Sequence, residues 1–561
     1  MAKYRFRGPL NQADIPLLTF LSADSVVSSQ LDIAGKVNQG FAGSSDSHTY
    51  NIPHIMFCEN VMPSADGIIS CEYEEVIPPI VPPVGASPVT VRQVIPIRFS
   101  DESIILFADA VTNATGETSP YIYVPGMTAW IRLEFVFTAN YTVTRAYVIG
   151  RTFLCFAFDT GDYQVREFVY AAGETIPRFN GVSLLGLQDT NIKGIGASSG
   201  YMIAYSDLDV YWSSLDNPLD FVPDAGSAAG SSAPIDLKSG ITAILTTSGG
   251  FLISSDRNLV FATYTQNALI PFIFREIANA GGISSYEQAT SDQTSGIVYT
   301  WGTGGLQKVS QQKAETLSGN LNDFLAGGII ESWNPATNQI TSIMDDGLEF
   351  KVKVTYVSSR YLVISYAPSR ALGYQYALVF DTVLQRWGKL KIDHADCFEY
   401  PYPDTRADLE YRDLVNAYST YTQSYADLDT VRVLVQPSKK AIGFVKENGS
   451  IQLALFEYNK TINSNAVIVF GKMQLTRARL AAIQQLTLSG KFYLNDLRVK
   501  ALSGELTDGN SFSKDMIPAS SNSNVMQLWR TRLIGLSLSI AVTGTFALSS
   551  YLLEVTNEGD R

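Results

Sequence analysis

The sequence predicts a mainly β protein with a β-propeller-like body, inserted β-structure, β-rich tip elements and few helices. Apolar and polar residues alternate at period two in run after run, turn residues close each run, and helical spacing is scarce. Composition agrees. Of 561 residues, 42 are Gly, 29 Tyr and 28 Phe, and only 17% are charged, against roughly 25% in an ordinary globular domain. Low charge also suits a subunit covered by neighbours, because interface cores are depleted in charged side chains. A hydrophobic share of 46% argues against disorder. Chains of this size carry about two to four domains.

Residues 1–76 read as N-terminal strands joining the propeller. They open Met-Ala-Lys-Tyr-Arg-Phe-Arg, followed by Gly8, Pro9, Asn11 and Asp14, without the apolar stretch of a signal peptide. The run Ile77-Pro78-Pro79-Ile80-Val81-Pro82-Pro83 is stiffened by its prolines and leads into an inserted β-domain expected over 77–140. A propeller-like body is expected over 141–395. There Ala146 to Phe158 closes on Asp159-Thr160-Gly161-Asp162 and is answered by Tyr163 to Tyr170. Met202 to Trp212 gives two short strands, and Ile241 to Phe261 turns at Ser248-Gly249-Gly250 and Ser255-Asp256. Ile297 to Val309 turns at Gly304-Gly305, and Phe350 to Tyr356 turns through Ser358-Ser359 into Tyr361 to Tyr366. Tyr376 to Leu390 holds Phe380-Asp381, a turn, then Arg386-Trp387, a pattern similar to the blade hairpins of kelch-like propellers. Units recur at roughly 40–60 residues, the length of a blade. A sandwich or a stack of β-domains is the competing architecture.

Ala225 to Pro234 reads as an exposed loop. Residues 396–430, rich in Asp and Tyr, are expected to form a long excursion, 431–530 a β-rich tip region with a flexible stretch over 508–524, and 531–561 return strands. Leu533 to Leu553 carries no charge and is long enough to cross a bilayer as a helix. Leu536-Ser537-Leu538-Ser539-Ile540 alternates, however, and Gly544 interrupts the run, so strands are expected and no membrane span.

No catalytic, cofactor-binding or metal site is expected. The three histidines, His48, His54 and His394, accompany no Gly-x-Ser-x-Gly elbow, His-Glu-x-x-His, Cys-x-x-Cys or Walker A loop. Cys58, Cys71, Cys155 and Cys397 lack metal or disulfide-scaffold spacing and read as reduced thiols. Gly194-Ile195-Gly196 and Gly302-Thr303-Gly304-Gly305 are short and fit tight turns. Asp207, Asp209, Asp216, Asp220 and Asp224 are too widely spaced for a calcium loop and read as turn carboxylates. No carboxylate pair stands out for glycoside cleavage. With 41 Lys and Arg against 54 Asp and Glu, the net charge is −13, which argues against binding by phosphate neutralisation. The most basic zone, Arg477, Arg479, Lys491, Arg498 and Lys500, could contact phosphates but reads rather as subunit salt bridges or a solvated sheet face.

Three segments resemble the tail nozzle, or tail hub (packaged-DNA stabilisation), proteins of short-tailed bacteriophages. Asn51-Ile52-Pro53 leads into Glu59-Asn60-Val61-Met62-Pro63, then Gly67 and Ser70, like that family's opening. Tyr211-Trp212-Ser213-Ser214-Leu215-Asp216-Asn217-Pro218-Leu219-Asp220-Phe221 resembles its aromatic-to-Asn-Pro strand and turn, followed by Gly240 to Ile244 and a hairpin over Phe251 to Phe261. Phe470 to Leu480, Leu486 to Ala501 and Arg532-Leu533-Ile534-Gly535-Leu536 resemble its tip and return strands. The segments stand in the family's order, while residues 80–140 and 396–430 match nothing in it. The resemblance implies a virion tail protein, assembled in the host cytoplasm, forming a hexameric ring below the portal-adaptor (head-to-tail connector). Its lumen would retain and conduct double-stranded DNA without specific binding, and its surface would dock fibres, spikes or a plug. A receptor-binding or polysaccharide-degrading tail protein is the alternative.

Overall fold

The computed structural model describes residues 3–9, 48–50 and 55–557, apart from short stretches and the longer segments 134–142, 170–177, 319–328, 404–437, 457–464, 471–480 and 504–511. Strands dominate. Among the described residues the helical structure is a single 3-10 turn, Tyr286–Gln288, capped by Ser285.

Seven four-stranded antiparallel units follow one another among the described residues: six are meanders, one of them continuous with a larger sheet, and the seventh is completed by a strand from the other end of the chain. Blade 1 is Val89–Arg98, Ile104–Thr112, Thr118–Tyr123 and Ile131–Arg132. Blade 2 is Val143–Ile149, Phe153–Phe158, Tyr163–Val169 and Arg178–Val182. Blade 3 is Gly194–Ser198, Tyr201–Tyr205, Val210–Trp212 and Gly230–Ser232. Blade 4 is Ile241–Thr247, Gly250–Ser255, Leu259–Tyr264 and Phe272–Glu276. Blade 5 is Ala289–Asp292, Ile297–Gly302, Gly305–Val309 and Ala314–Ser318. After a hairpin of Ile329–Asn334 and Gln339–Met344, blade 6 is Phe350–Val357, Tyr361–Pro368, Tyr374–Asp381 and Arg386–His394. Blade 7 takes Asp396–Pro403, Ser438–Val445 and Ile451–Ala454, and its outer strand is Tyr73–Ile77 from the other end of the chain.

The first strand of each blade touches the first strand of the next, and that of blade 7 touches that of blade 1, so the ring closes. Between blades lie the cores. Tyr201, Trp212, Phe251 and Phe272 fill the space between blades 3 and 4, and Trp301, Leu362, Tyr376 and Phe380 that between blades 5 and 6. Similar clusters separate blades 6 and 7 and blades 7 and 1. Each fully buried aliphatic or aromatic side chain there contributes about 1.5–3 kcal/mol. Period-two strands with apolar residues on both faces are what such a stack requires, since both faces of every blade meet a neighbour.

A second β body is built from both ends of the chain. Lys3–Pro9, Val61–Ser64 and Gly67–Ser70 join Ala481–Phe492, Val525–Trp529 and Phe546–Asn557 in one sheet, and Ile55–Glu59 joins Val467–Phe470, Leu538–Thr543 and Arg498–Ser503 in another. The Val61–Ser64 strand lies beside Arg386–His394, with Lys389 opposite Val61, so the sheet of blade 6 runs on into the second body.

The structure departs from the sequence reading in places. Within the expected inserted domain, 89–132 is a blade in series with the rest. The start of the expected excursion is the first strand of blade 7, and 404–430 lies outside the described residues. The flexible stretch expected over 508–524 holds two edge strands, Phe512–Asp515 and Pro518–Ser521. Gly230–Ser232, inside the expected loop, is the outer strand of blade 3. In the last two cases short strands of small or polar residues carry little periodicity, and pairing with a neighbour defines them. Leu533 to Leu553 holds strands, and among the described residues no helix is long and apolar enough to cross a membrane.

Candidate functional site

The segment Glu59-Asn60-Val61-Met62-Pro63 forms the joint between the two bodies. Asn60 is buried and adopts the left-handed conformation at φ 56°, which Asn tolerates better than most residues. Its Oδ1 accepts from the Lys391 backbone N–H at 3.0 Å in blade 6 and from the Tyr73 hydroxyl at 3.2 Å in blade 7. Its Nδ2 donates to the Asn465 carbonyl, at 3.5 Å, on the approach to the C-terminal strands. Its own carbonyl accepts from Cys71 N–H at 2.7 Å. One side chain thus ties together three parts of the chain. Glu59 lies 3.8 Å from the Lys391 ammonium, and Met62 is fully buried in the core shared with blades 6 and 7. Gly388 permits the close crossing, because a Cβ there would fall 2.3 Å from the Val61 carbonyl oxygen.

A second polar cluster staples the inner ring. Asp396, on the first strand of blade 7, accepts from the Lys353 ammonium of blade 6 and, at 2.9 Å, from the Val94 backbone N–H of blade 1. Burial raises the Asp396 carboxyl above its usual range, and the Lys353 charge opposes that rise. Burial also works against the Lys353 charge, but Asp396 and Glu287 outweigh it and hold the ammonium protonated. Thr355 reaches the Cys397 carbonyl, Thr246 the Ala197 carbonyl and Thr242 the Ile283 carbonyl, so hydroxyls span successive blades in the same way.

His394 comes close to a catalytic arrangement in one respect. Its Nε2 lies 2.8 Å from the Ser365 hydroxyl, while Nδ1 faces the Ile392 carbonyl at 2.7 Å. Nδ1 therefore carries the proton and Nε2 accepts from Ser365. The orienting group is a backbone carbonyl, whereas a nucleophilic triad uses a carboxylate. Ser365 is 0% and His394 2% exposed, and burial pushes the imidazole down to about 3. Both side chains are buried, and His394 borders the cleft beside them.

Beside it, a cleft of about 750 Å³ opens between blades 6 and 7, lined by Glu75, Gln375, Asp393, Lys446, Glu447 and Asn448 among others. The aspartates of blade 3 do not converge. Asp207 pairs with Lys193, while Asp220 and Asp224 accept backbone N–H groups two and three residues on. Among the described residues no group of His, Cys, Asp and Glu could hold a metal ion. Cys58, Cys71 and Cys397 are buried free thiols. His54, Arg477 and Arg479 lie outside the described residues, as do the side chains of His48 and Cys155. Arg498 and Lys491 are exposed on the second body. Sequence reasoning passed over Asn60, Asp396 and Lys353 as individuals. The signal for Asn60 was its place inside a family-like motif, whereas the blade-to-blade partners of Asp396 have no sequence signature.

No protein-family model matches the chain, and no curated protein matches it. Solved structures similar to it include the extracellular domain of the putative one-component system BT4673 from B. thetaiotaomicron, at 10% identity and TM-score 0.31, covering 68% of this chain and 40% of that one. Sqt1 from Chaetomium thermophilum is similar at 12% identity and TM-score 0.35, covering 60% and 79%. YCF48 bound to D1 peptide is similar at 10% and 0.32, covering 59% and 86%. The chain thus spans well under half the length of the first of these.

Proposed function

We propose that this chain is a structural, non-catalytic virion subunit that forms a ring at the distal end of a short phage tail, a conduit and seal for double-stranded DNA. The observation that carries the reading is the joint. One of the three stretches that resemble the nozzle family, Glu59 to Pro63, is where a propeller-like body is coupled to a second β body. A tube-forming subunit needs such a rigid two-body unit, because each copy must hold one angle to its neighbours for a cyclic ring to close. The charge of −13 suits the role: an acidic wall repels the phosphate backbone within a Debye length of about 10 Å and adds no counterion-releasing contact that would stall passage.

Fab or gold labelling of this chain on purified virions, imaged in negative stain, tests the reading. Label at the distal tail is expected. Label on capsid faces, or its absence from virions, overturns the proposal. The alternative, a receptor-binding or polysaccharide-degrading tail protein, has one feature in its favour, the carboxylate-bearing cleft at Glu75, Asp393 and Glu447. Release of reducing ends from host polysaccharide would favour it.

A further inference from the structure

Two exposed sheet edges, each with an apolar stretch beside it, lie on opposite sides of the propeller. On blade 4, Leu269 is 91% exposed, Ile270 58% and Ile273 55%. Leu269 and Ile270 sit on the loop before the outer strand Phe272–Glu276, and Ile273 lies on that strand. The loop is not slack. Asn267 Oδ1 accepts from Leu269 N–H at 3.0 Å, the Asn267 carbonyl from Ile270 N–H at 3.1 Å, and the Pro271 carbonyl from Thr265 N–H at 2.9 Å. Thr265 Oγ1 also donates to the Ile270 carbonyl. The apolar side chains are therefore presented from an ordered support, so covering them costs little further ordering entropy. Leu269, Ile270 and Ile273 form a contiguous exposed apolar group, the kind of patch that marks a contact surface.

The other edge is the outer strand of blade 7, Tyr73–Ile77, and the proline-rich stretch after it, where Val81 is 78% exposed. The strand pairs on one side with Ile451–Ala454, and its other side is a sheet edge, as is the outer side of Phe272–Glu276. Blade 4 is three blades away from both blade 7 and blade 1, which places the two edges across the ring from each other.

We propose that these edges are the two halves of one head-to-tail contact between copies of this chain, the blade 4 edge of one lying antiparallel on the blade 7 edge of the next. Charge complementarity selects both the occupant and the direction. Arg275 is exposed on the same face of its strand as Ile273, and the blade 7 edge carries Glu74 and Glu75. Run antiparallel, Arg275 lies opposite the Glu74–Glu75 pair, one of which shares its face, while Leu269 and Ile270 lie opposite Pro79 and Val81, so apolar faces apolar and cation faces anion. Run parallel with Arg275 kept beside the same glutamates, Leu269 and Ile270 fall beside residues 68–70, before the strand begins and away from Val81. A contact joining two different patches on opposite sides of one subunit builds a closed ring or an open filament, unlike a two-fold contact, which stops at a dimer.

The test is sedimentation velocity of the full chain over a concentration series, with three variants checked for fold by circular dichroism. Wild type is expected to assemble beyond a dimer. R275E, the double variant E74R/E75R and L269D should each weaken assembly roughly tenfold or more. Mixing R275E with E74R/E75R should restore assembly, since each copy then presents the complement of the other at both edges, whereas R275E with L269D should not assemble and E74R/E75R with L269D, which retain one native contact between them, should stop at a dimer. Restoration also shows that both charge variants are folded. A wild-type chain that stays monomeric at its highest soluble concentration, assembly that ignores the charge reversals, or a mixture that fails to restore it would each overturn the proposal. The contact does not rest on the virion reading: failed labelling of tails would end that reading and leave this one standing.

Discussion

At the scale of single residues, the strongest constraints are polar groups without access to water. Asp381 is fully buried, takes the Arg360 guanidinium at 2.6 and 3.0 Å, and caps the turn by accepting from Val383 and Leu384 N–H. This one was legible in the sequence, because Asp after an aromatic strand end and before a turn signals a local role. His394 was visible only as one of three histidines. Its surroundings came from Ser365, Tyr374, Phe444 and the nearby lysines 351, 353 and 446, which no local pattern links. Burial drives its pKa from 6.5 to about 3, so between those values the unfolded chain binds a proton that the native one refuses. Stability is then fully present above about 6.5 and lost as pH falls toward 3, an effect on the order of a few kcal/mol. Asp109 acts with opposite sign: burial raises it from 3.8 to about 6 despite its ion pair with Arg92, so protonation favours the native state as pH falls through 6. The His394 window is wider, and urea midpoints should fall between pH 7 and pH 4. H394Q should flatten that fall and D109N steepen it. Parallel curves for wild type and H394Q would remove His394 from the explanation.

At the scale of elements, hairpins were readable and long-range pairings were not. The turns at Ser248-Gly249 and Ser358-Ser359 stand where the sequence put them, since turn residues act on their neighbours. The pairing of Tyr73–Ile77 with Ile451–Ala454 has no local cause and needs the whole ring to define it. The joint has the same character, because Asn60 bonds to elements far away in sequence. N60G keeps access to φ 56° but loses the side-chain bonds, and should cost about 1–3 kcal/mol. N60A loses both, and should cost roughly 1 kcal/mol more. Equal chemical-denaturation midpoints for N60A and wild type would show that the joint carries no strain and no useful bonds.

At the scale of the whole molecule, period-two alternation and blade-length recurrence announced a β-propeller-like body, while the blade number stayed hidden. Each blade differs too much in strand length for counting. Blade 3 has three-residue strands at Val210–Trp212 and Gly230–Ser232, whereas blade 6 has eight-residue ones. Charge balance was legible at once. An acidic chain should show no saturable binding to a short DNA duplex by fluorescence anisotropy even at low salt, where phosphate contacts are strongest. Tight binding that weakens steeply with added salt would contradict the proposed conduit.

The Asn60 joint also sets a timetable for synthesis. Its partner Lys391 lies 331 residues downstream, and at about 5–20 residues per second a ribosome takes roughly a quarter of a minute to a minute to deliver it. Ser70 waits longer still, for Phe546, 476 residues away. Until then the nascent N-terminal strands hold apolar side chains such as Phe57, whose core partners Val467, Val469, Leu502 and Ala541 are all still to come, and Met62, which has only its own hairpin to pack against. Production of this chain should therefore depend on chaperones that shelter an unfinished N-terminus, and it should suffer most when translation is slowed.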